Sequence, residues 1–272
     1  MIRLYRAAFP GRPAFDAALS RALLLSVAAR GDAAALRVSA ADPVLAFSVL
    51  DRTRPGFPEA VEAARRLGFE PVLRLAGGRA AVFHTGTLCF AWSLPCKDSR
   101  LGIRERFDAM AGIARAALAR LGIDARVGEV PGEYCPGAYS VNAGGRRKIV
   151  GIGQRLVRGA AHLGGVLVVR DAERIRGALD PVYRALGYDF DPQSVGSVEA
   201  EVGAVPLGDA IEALLAEFRR LGPLAEAEPD ADELARAEAL EAEHRIAPRL
   251  QPRGREVEEP GHGRRGPGAA AR

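Results

Sequence analysis

Cys135 lies in the segment Glu133-Tyr134-Cys135-Pro136-Gly137, where no apolar periodicity would carry it into a core. A cysteine attacks as its thiolate, and a nearby cation lowers the pH at which that thiolate forms. Lys148 follows on the same stretch of chain. Among 38 Lys+Arg residues it is one of two lysines, Lys97 being the other. An ammonium can shift its pKa and pass on a proton, whereas a guanidinium stays charged. A lysine retained against so strong an arginine bias is therefore a candidate for chemistry. On spacing alone the plainer alternatives stay open: Cys135 as an inert free thiol, and Lys148 as an exposed strand lysine.

A third candidate is the loop Arg74-Leu75-Ala76-Gly77-Gly78-Arg79. Paired glycines between strands let backbone approach a ligand, or simply make a tight turn. The loop lacks a following Gly-Lys-Ser/Thr, and a strand rather than a helix comes next. It is thus neither a Walker loop nor a dinucleotide fingerprint. Cys96-Lys97 is a rival pair, but adjacent residues of an extended segment face opposite ways. Cys89, beside Phe90 and Trp92, reads as core. The three cysteines have no CxxC spacing, so no metal site is expected. No Gly-x-Ser-x-Gly elbow is present. His84 and His162, both near glycines, read as hydrogen-bonded structural histidines.

Periodicity predicts helices over 15–30, 59–67, 103–121, 171–187 with a break before Pro181, 206–221 and 230–245. It predicts strands at 44–50, 71–75, 80–84, 87–92, 125–127, 138–143, 146–156 and 164–169. A hairpin turn at Gly144-Gly145 would pair Lys148 with Val141 and bring it near Cys135. Strict βαβα alternation is absent. The fold class is therefore α/β (α+β), with a mixed, largely antiparallel sheet flanked by helices.

The chain is 48% hydrophobic and 26% charged, with a net charge of +4. That is globular composition. The basic residues form no continuous stripe, so no nucleic-acid partner is expected. No apolar run is long enough to span a membrane. The first residues lack the pattern of a secretory signal, and three cysteines are too few for a disulfide scaffold. A cytoplasmic location is expected. The expected organisation is a main domain over 1–222, a C-terminal charged helix over 223–247 and a disordered tail over 248–272, which is rich in Pro, Gly and charge.

Two stretches, Arg74-Leu75-Ala76-Gly77-Gly78-Arg79-Ala80-Ala81-Val82-Phe83-His84 and Lys148-Ile149-Val150-Gly151-Ile152-Gly153-Gln154-Arg155, resemble the lipoate/octanoate protein transferase and ligase family. That family shares its catalytic fold with biotin protein ligases. The resemblance covers about residues 15–190. Glu133-Tyr134-Cys135-Pro136-Gly137-Ala138-Tyr139 is similar to the cysteine-dependent octanoyltransferase branch. The resemblance implies an acyltransferase with a Cys135 thioester and Lys148 as second catalytic residue. It implies Arg74, Gly77, Gly78, Arg79, His84, Gly151 and Gln154 as substrate-binding residues. The implied partners are a carrier such as the glycine-cleavage H protein or acyl carrier protein, and lipoyl domains of 2-oxoacid dehydrogenases. No cofactor is implied. ATP enters only in the alternative of an ATP-dependent ligase, and a non-catalytic acyl- or lipoyl-domain-binding protein is the other alternative. In one respect the chain departs from the family: a His-Gly pair found in many members falls on Gly164-Gly165, with His162 offset from it.

Overall fold

The computed structural model describes residues 1–247; the expectation for 248–272 lies outside the described residues. In chain order the elements are β1 (Ile2–Tyr5), α1 (Pro13–Arg30), β2 (Ala34–Ala40), β3 (Val44–Phe47), α2 (Val49–Arg52), α3 (Phe57–Arg66), β4 (Glu70–Leu73), β5 (Ala81–Phe83), β6 (Thr87–Pro95), α4 (Ile103–Arg120), β7 (Ala125–Val127), β8 (Val141–Ala143), β9 (Arg147–Val157), β10 (Ala160–Val168), α5 (Ala172–Leu186), α6 (Val198–Val202), α7 (Leu207–Arg219), β11 (Leu224–Ala227) and α8 (Ala231–His244).

Eight strands form one sheet in the order β11-β1-β2-β6-β10-β9-β8-β7, and β4-β3-β5 form a second. Pairing is parallel from β11 to β2 and antiparallel across the rest of the large sheet. The sheet is mixed and largely antiparallel, as the patterning predicts. Helices α4 and α7 pack on one of its faces through Met110, Ala114, Leu214 and Phe218. Helix α1 packs elsewhere with Leu19, Leu23 and Val27, joined by Ala237 of α8. Helices α3 and α5 cover the small sheet. Among the described residues, no helix is long and apolar enough to cross a membrane.

Three local readings are corrected. The strand predicted over 44–50 stops at Phe47. Ser48 accepts from Asp51 N, and the Asp51 carboxylate accepts from Ser48 N at 2.7 Å, a capping box that starts α2. Helix α5 runs through Pro181 without the predicted break. The carbonyl four residues back, which loses its helical partner, belongs to exposed Gly177. Meanwhile Ile175, Leu179, Val182 and Leu186 hold the helix to the small-sheet core. The β8–β9 hairpin is one residue longer than predicted. Ala143 pairs with Arg147 and Asn142 with Lys148, and a register shift then sets Val141 against Val150. Asn142 Oδ1 accepts from Gly145 N at 2.8 Å, which stabilises the wider turn.

Strands β1, β2 and β11 were not among the predicted elements. β11 closes the sheet against β1, so residues 223–247 contribute a strand as well as the charged helix.

Candidate active site

Three segments meet where the small sheet faces the large one. The first is the loop between β7 and β8, which carries Cys135. The second is the glycine loop between β4 and β5. The third is β9, which carries Lys148. Cys135 sits at φ +43, one of two non-glycine residues with positive φ among those described. A side chain pays a steric penalty there, and the following Pro136 itself favours an extended predecessor. Both backbone polar groups of Cys135 are held by side chains. Its N–H donates to Tyr183 Oη at 2.8 Å, and its carbonyl accepts from Lys148 Nζ at 2.8 Å.

The Cys135 sulfur accepts from Arg79 N–H at 3.1 Å and from Arg74 Nη2 at 3.5 Å. Burial by itself pushes this thiol up. The charges of Arg74 and Lys148 and the two hydrogen bonds outweigh it, and the thiol is held below its ordinary value. Gly78, at φ +102, makes this closeness possible. A Cβ there would lie 2.4 Å from Arg74 Nη2 and 2.6 Å from Cys135 Sγ.

Lys148 is 1% exposed, so the exposed-strand reading is wrong. Its three N–H groups go to Glu133 Oε1 at 3.1 Å, Tyr134 O at 2.9 Å and Cys135 O. The ammonium also lies 4.6 Å from the centroid of the Tyr134 ring. Gly151 leaves room for the lysine stem, since a Cβ there would lie 3.3 Å from Lys148 Cε. Glu133 additionally accepts from Val130 N at 3.0 Å, Gly137 N at 3.2 Å and the Ser140 hydroxyl. One carboxylate thus ties both flanks of the cysteine loop to the ammonium. Fully paired on every side, this buried ion pair avoids the desolvation penalty of a lone charge.

A cavity of about 320 Å³ adjoins the site, within the usual size range for small-molecule sites. Val44, Ala46, Val72 and Phe83 of the small sheet line it, opposite Phe90, Gly164 and Gly165 of the large sheet. Arg74 reaches from this wall to the sulfur. Leu75 and Ala76 line the cavity, whereas Gly77 and Gly78 do not. Cys89 lines it too, and is not a closed-core residue. Burial pushes the Cys89 thiol up, the opposite of Cys135. Cys96 donates its N–H to Gly159 O at 3.0 Å, and Lys97 beside it is exposed.

Of the residues expected to bind substrate only Arg74 lines the cavity; Gly77, Gly78, Arg79, Gly151, His84 and Gln154 lie outside its wall. His84 Nδ1 accepts from Gly86 N at 3.0 Å in the β5–β6 turn. Its neighbours Phe83 and Thr85 line the cavity instead, as alternation along an extended chain dictates. Gln154 accepts from Arg106 and donates to Ile103 O at 3.3 Å, bracing β9 against α4. His162 does line the cavity, with Nδ1 paired to Ser93 Oγ at 3.1 Å. Its Nε2 lies 2.7 Å from where a Gly164 Cβ would stand. Residues two apart share a strand face, so the imidazole covers the very position from which it is offset in sequence. Sequence reasoning missed Glu133 and Tyr183. Glu133 carried a signal, a carboxylate two residues before the thiol. Tyr183 carried none.

The site thus sets a thiol held below its ordinary pKa beside a largely apolar cavity between the two sheets. The lipoyl protein ligase A/B catalytic domain model matches residues 12–219. The chain belongs to that family. The octanoyl-[GcvH]:protein N-octanoyltransferase of Geobacillus kaustophilus is 32% identical over 179 residues, 64% of this chain and 63% of that protein. The lipoyl-[GcvH]:protein N-lipoyltransferase of Listeria monocytogenes is 27% identical over 154 residues, 55% of each chain. These matches span less than two thirds of the relatives' own length. The solved structure of lipoate-protein ligase A bound with ATP superposes with a TM-score of 0.73 at 21% identity. It covers 88% of this chain and 94% of that one. A bi-partite lipoate protein ligase from Thermoplasma acidophilum gives 0.70 at 21% identity, with 88% and 91% covered. These structures share the fold.

Proposed function

We propose that this protein moves an octanoyl or lipoyl group from a carrier protein to the lysine of a lipoyl domain through a thioester on Cys135. The observation that carries the reading is the Cys135 sulfur, held below its ordinary thiol pKa by Arg74, Lys148 and the Arg79 N–H. The similarity to transferases named for GcvH supports the glycine-cleavage H protein as donor. The thiolate attacks the acyl carbonyl of the donor's N-acyl-lysine, and the donor amine leaves with one proton. The acceptor amine then attacks the thioester, loses one proton and restores the thiolate. The two steps cancel in protons and consume no ATP. Arg74 extends from the thiol to the cavity wall, which suits an acyl chain lying in the cavity with its carbonyl at the sulfur. All three N–H groups of Lys148 are engaged. It therefore acts as a fixed positive charge, and lends a proton only when one of those bonds opens. The three cysteines are free, in keeping with work in a reducing cytoplasm.

Intact-mass measurement after incubation with octanoylated H protein, without ATP, tests the reading. The expected result is a gain of one octanoyl group, lost in Cys135→Ser and kept in Cys96→Ser. Transfer that needs ATP and leaves no acyl-enzyme would replace the reading with that of a ligase.

A further inference from the structure

Tyr183 stands on α5, far in sequence from both loops of the site, and is 1% exposed. Its hydroxyl donates to Ala80 O at 2.9 Å, at the end of the glycine loop. The same oxygen accepts the Cys135 N–H at 2.8 Å. One phenol thus bridges the two loops whose contact makes the thiol reactive. Tyr188 and Phe190 pack on its ring, with centroids 5.5 and 5.2 Å away, and fix where the hydroxyl points.

We propose that Tyr183 is a positioning residue for the Cys135 nucleophile: its hydroxyl clamps the strained cysteine backbone to the glycine loop. The inference rests on the reading of Cys135 as the acyl-bearing thiol. Two side chains oppose the strain at φ +43, Lys148 from the carbonyl side and Tyr183 from the amide side. Lys148 is already tied to Glu133. Among the described residues, the Tyr183 bond alone joins the cysteine backbone to the segment that presents Arg79 N–H and Arg74 to the sulfur. Without it, the Cys135 N–H is left buried with no acceptor, and the αL conformation at the cysteine loses one of its two restraints. The sulfur then drifts from its donors. The hydroxyl's one proton is committed to Ala80 O, so Tyr183 has no proton to give a substrate.

The charged and titratable groups facing the thiol are Arg74, Lys148, Glu133, Tyr134 and Tyr183, with Asp51 acting on Tyr183 from α2. Tyr183→Phe keeps the ring and its packing and removes only the oxygen. Two readouts are needed. The first is the pH profile of Cys135 alkylation by iodoacetamide, which involves no acyl donor. It is expected to move upward toward an ordinary thiol. The second is single-turnover acylation by octanoylated H protein. It is expected to fall by about 10- to 100-fold in rate constant with little change in the half-saturating donor concentration. A lower melting temperature with an unmoved alkylation profile would reduce Tyr183 to a structural residue and overturn the proposal. If the wild type fails to acylate, the transferase reading falls, while the alkylation profile still decides the role of Tyr183. If Tyr183→Phe does not fold, the wild-type Cys135 amide decides. Protection from hydrogen exchange supports the clamp, and rapid exchange overturns it.

Discussion

Gly78 and Gly77 are neighbours with opposite tolerances, and the difference locates the chemistry. A methyl group on Gly78 would collide with both Arg74 and the Cys135 sulfur, on a backbone at φ +102. A methyl on Gly77 would meet nothing within 4 Å. Gly78→Ala must therefore push the loop off the thiol and take the Arg79 N–H with it. Misplacing a reacting group by an ångström costs on the order of 100-fold, and that loss is expected in acyl transfer for Gly78→Ala. Gly77→Ala is expected to stay within a few-fold of wild type. Single-turnover acylation of the two variants checks the pair, and a Gly78→Ala enzyme at wild-type rate would sink the argument. The same geometry explains what could be read from the sequence. Cys135, Lys148 and the glycine loop announce themselves by residue type and order. Tyr183, which restrains the cysteine from its amide side, does not, because its partners are set by tertiary packing rather than by spacing.

At the scale of elements, long periodic segments were legible and short ones were not. The helices at 13–30 and 103–120 carry enough repeats for the 3.6-residue period to stand out. β1 and β11 have four residues each, and only their pairing with each other and with β2 makes them strands. Helix α8 shows how little apolar surface such a segment needs. Ala237 is fully buried on α1, with Leu234 and Leu240 beside it. Arg12, Arg21 and Arg30 of and before α1 pair with Glu238, Glu241, Glu243 and Asp230 around that contact. Those pairs are largely exposed, and such bridges are individually weak. The alanine is the anchor. Ala237→Glu forces a carboxylate against α1 and is expected to destabilise by about 2–4 kcal/mol. Glu238→Ala, at 55% side-chain exposure, is expected to cost at most about 1 kcal/mol. Urea midpoints for the two variants read the difference, and equal losses would mean that the ion pairs, not the apolar seam, hold α8.

For the whole molecule, the cavity between the two sheets buries a titratable side chain in its wall. His162 spans that wall, and burial pushes it down to about 4 from its ordinary 6.5. Burial lowers His84 and His244 as well. Between pH 6.5 and 4 the unfolded chain takes up a proton at residue 162 that the folded chain refuses. Protons then favour the unfolded state, and stability falls as the pH drops through that window. The folded pKa lies about 2.5 below the ordinary one, which corresponds to roughly 3 kcal/mol over the whole window. About 2 kcal/mol of it should be gone on going from pH 7 to pH 5. His162→Gln removes the titration and keeps a polar group beside Ser93. Its urea midpoint is expected to be lower than wild type at pH 7 and to change less between pH 7 and pH 5. The remaining slope then belongs to His84, His244 and the paired carboxylates. If the variant lost stability as steeply as the wild type over that interval, the acid sensitivity would have to originate away from the cavity, and the imidazole covering Gly164 would have no part in it.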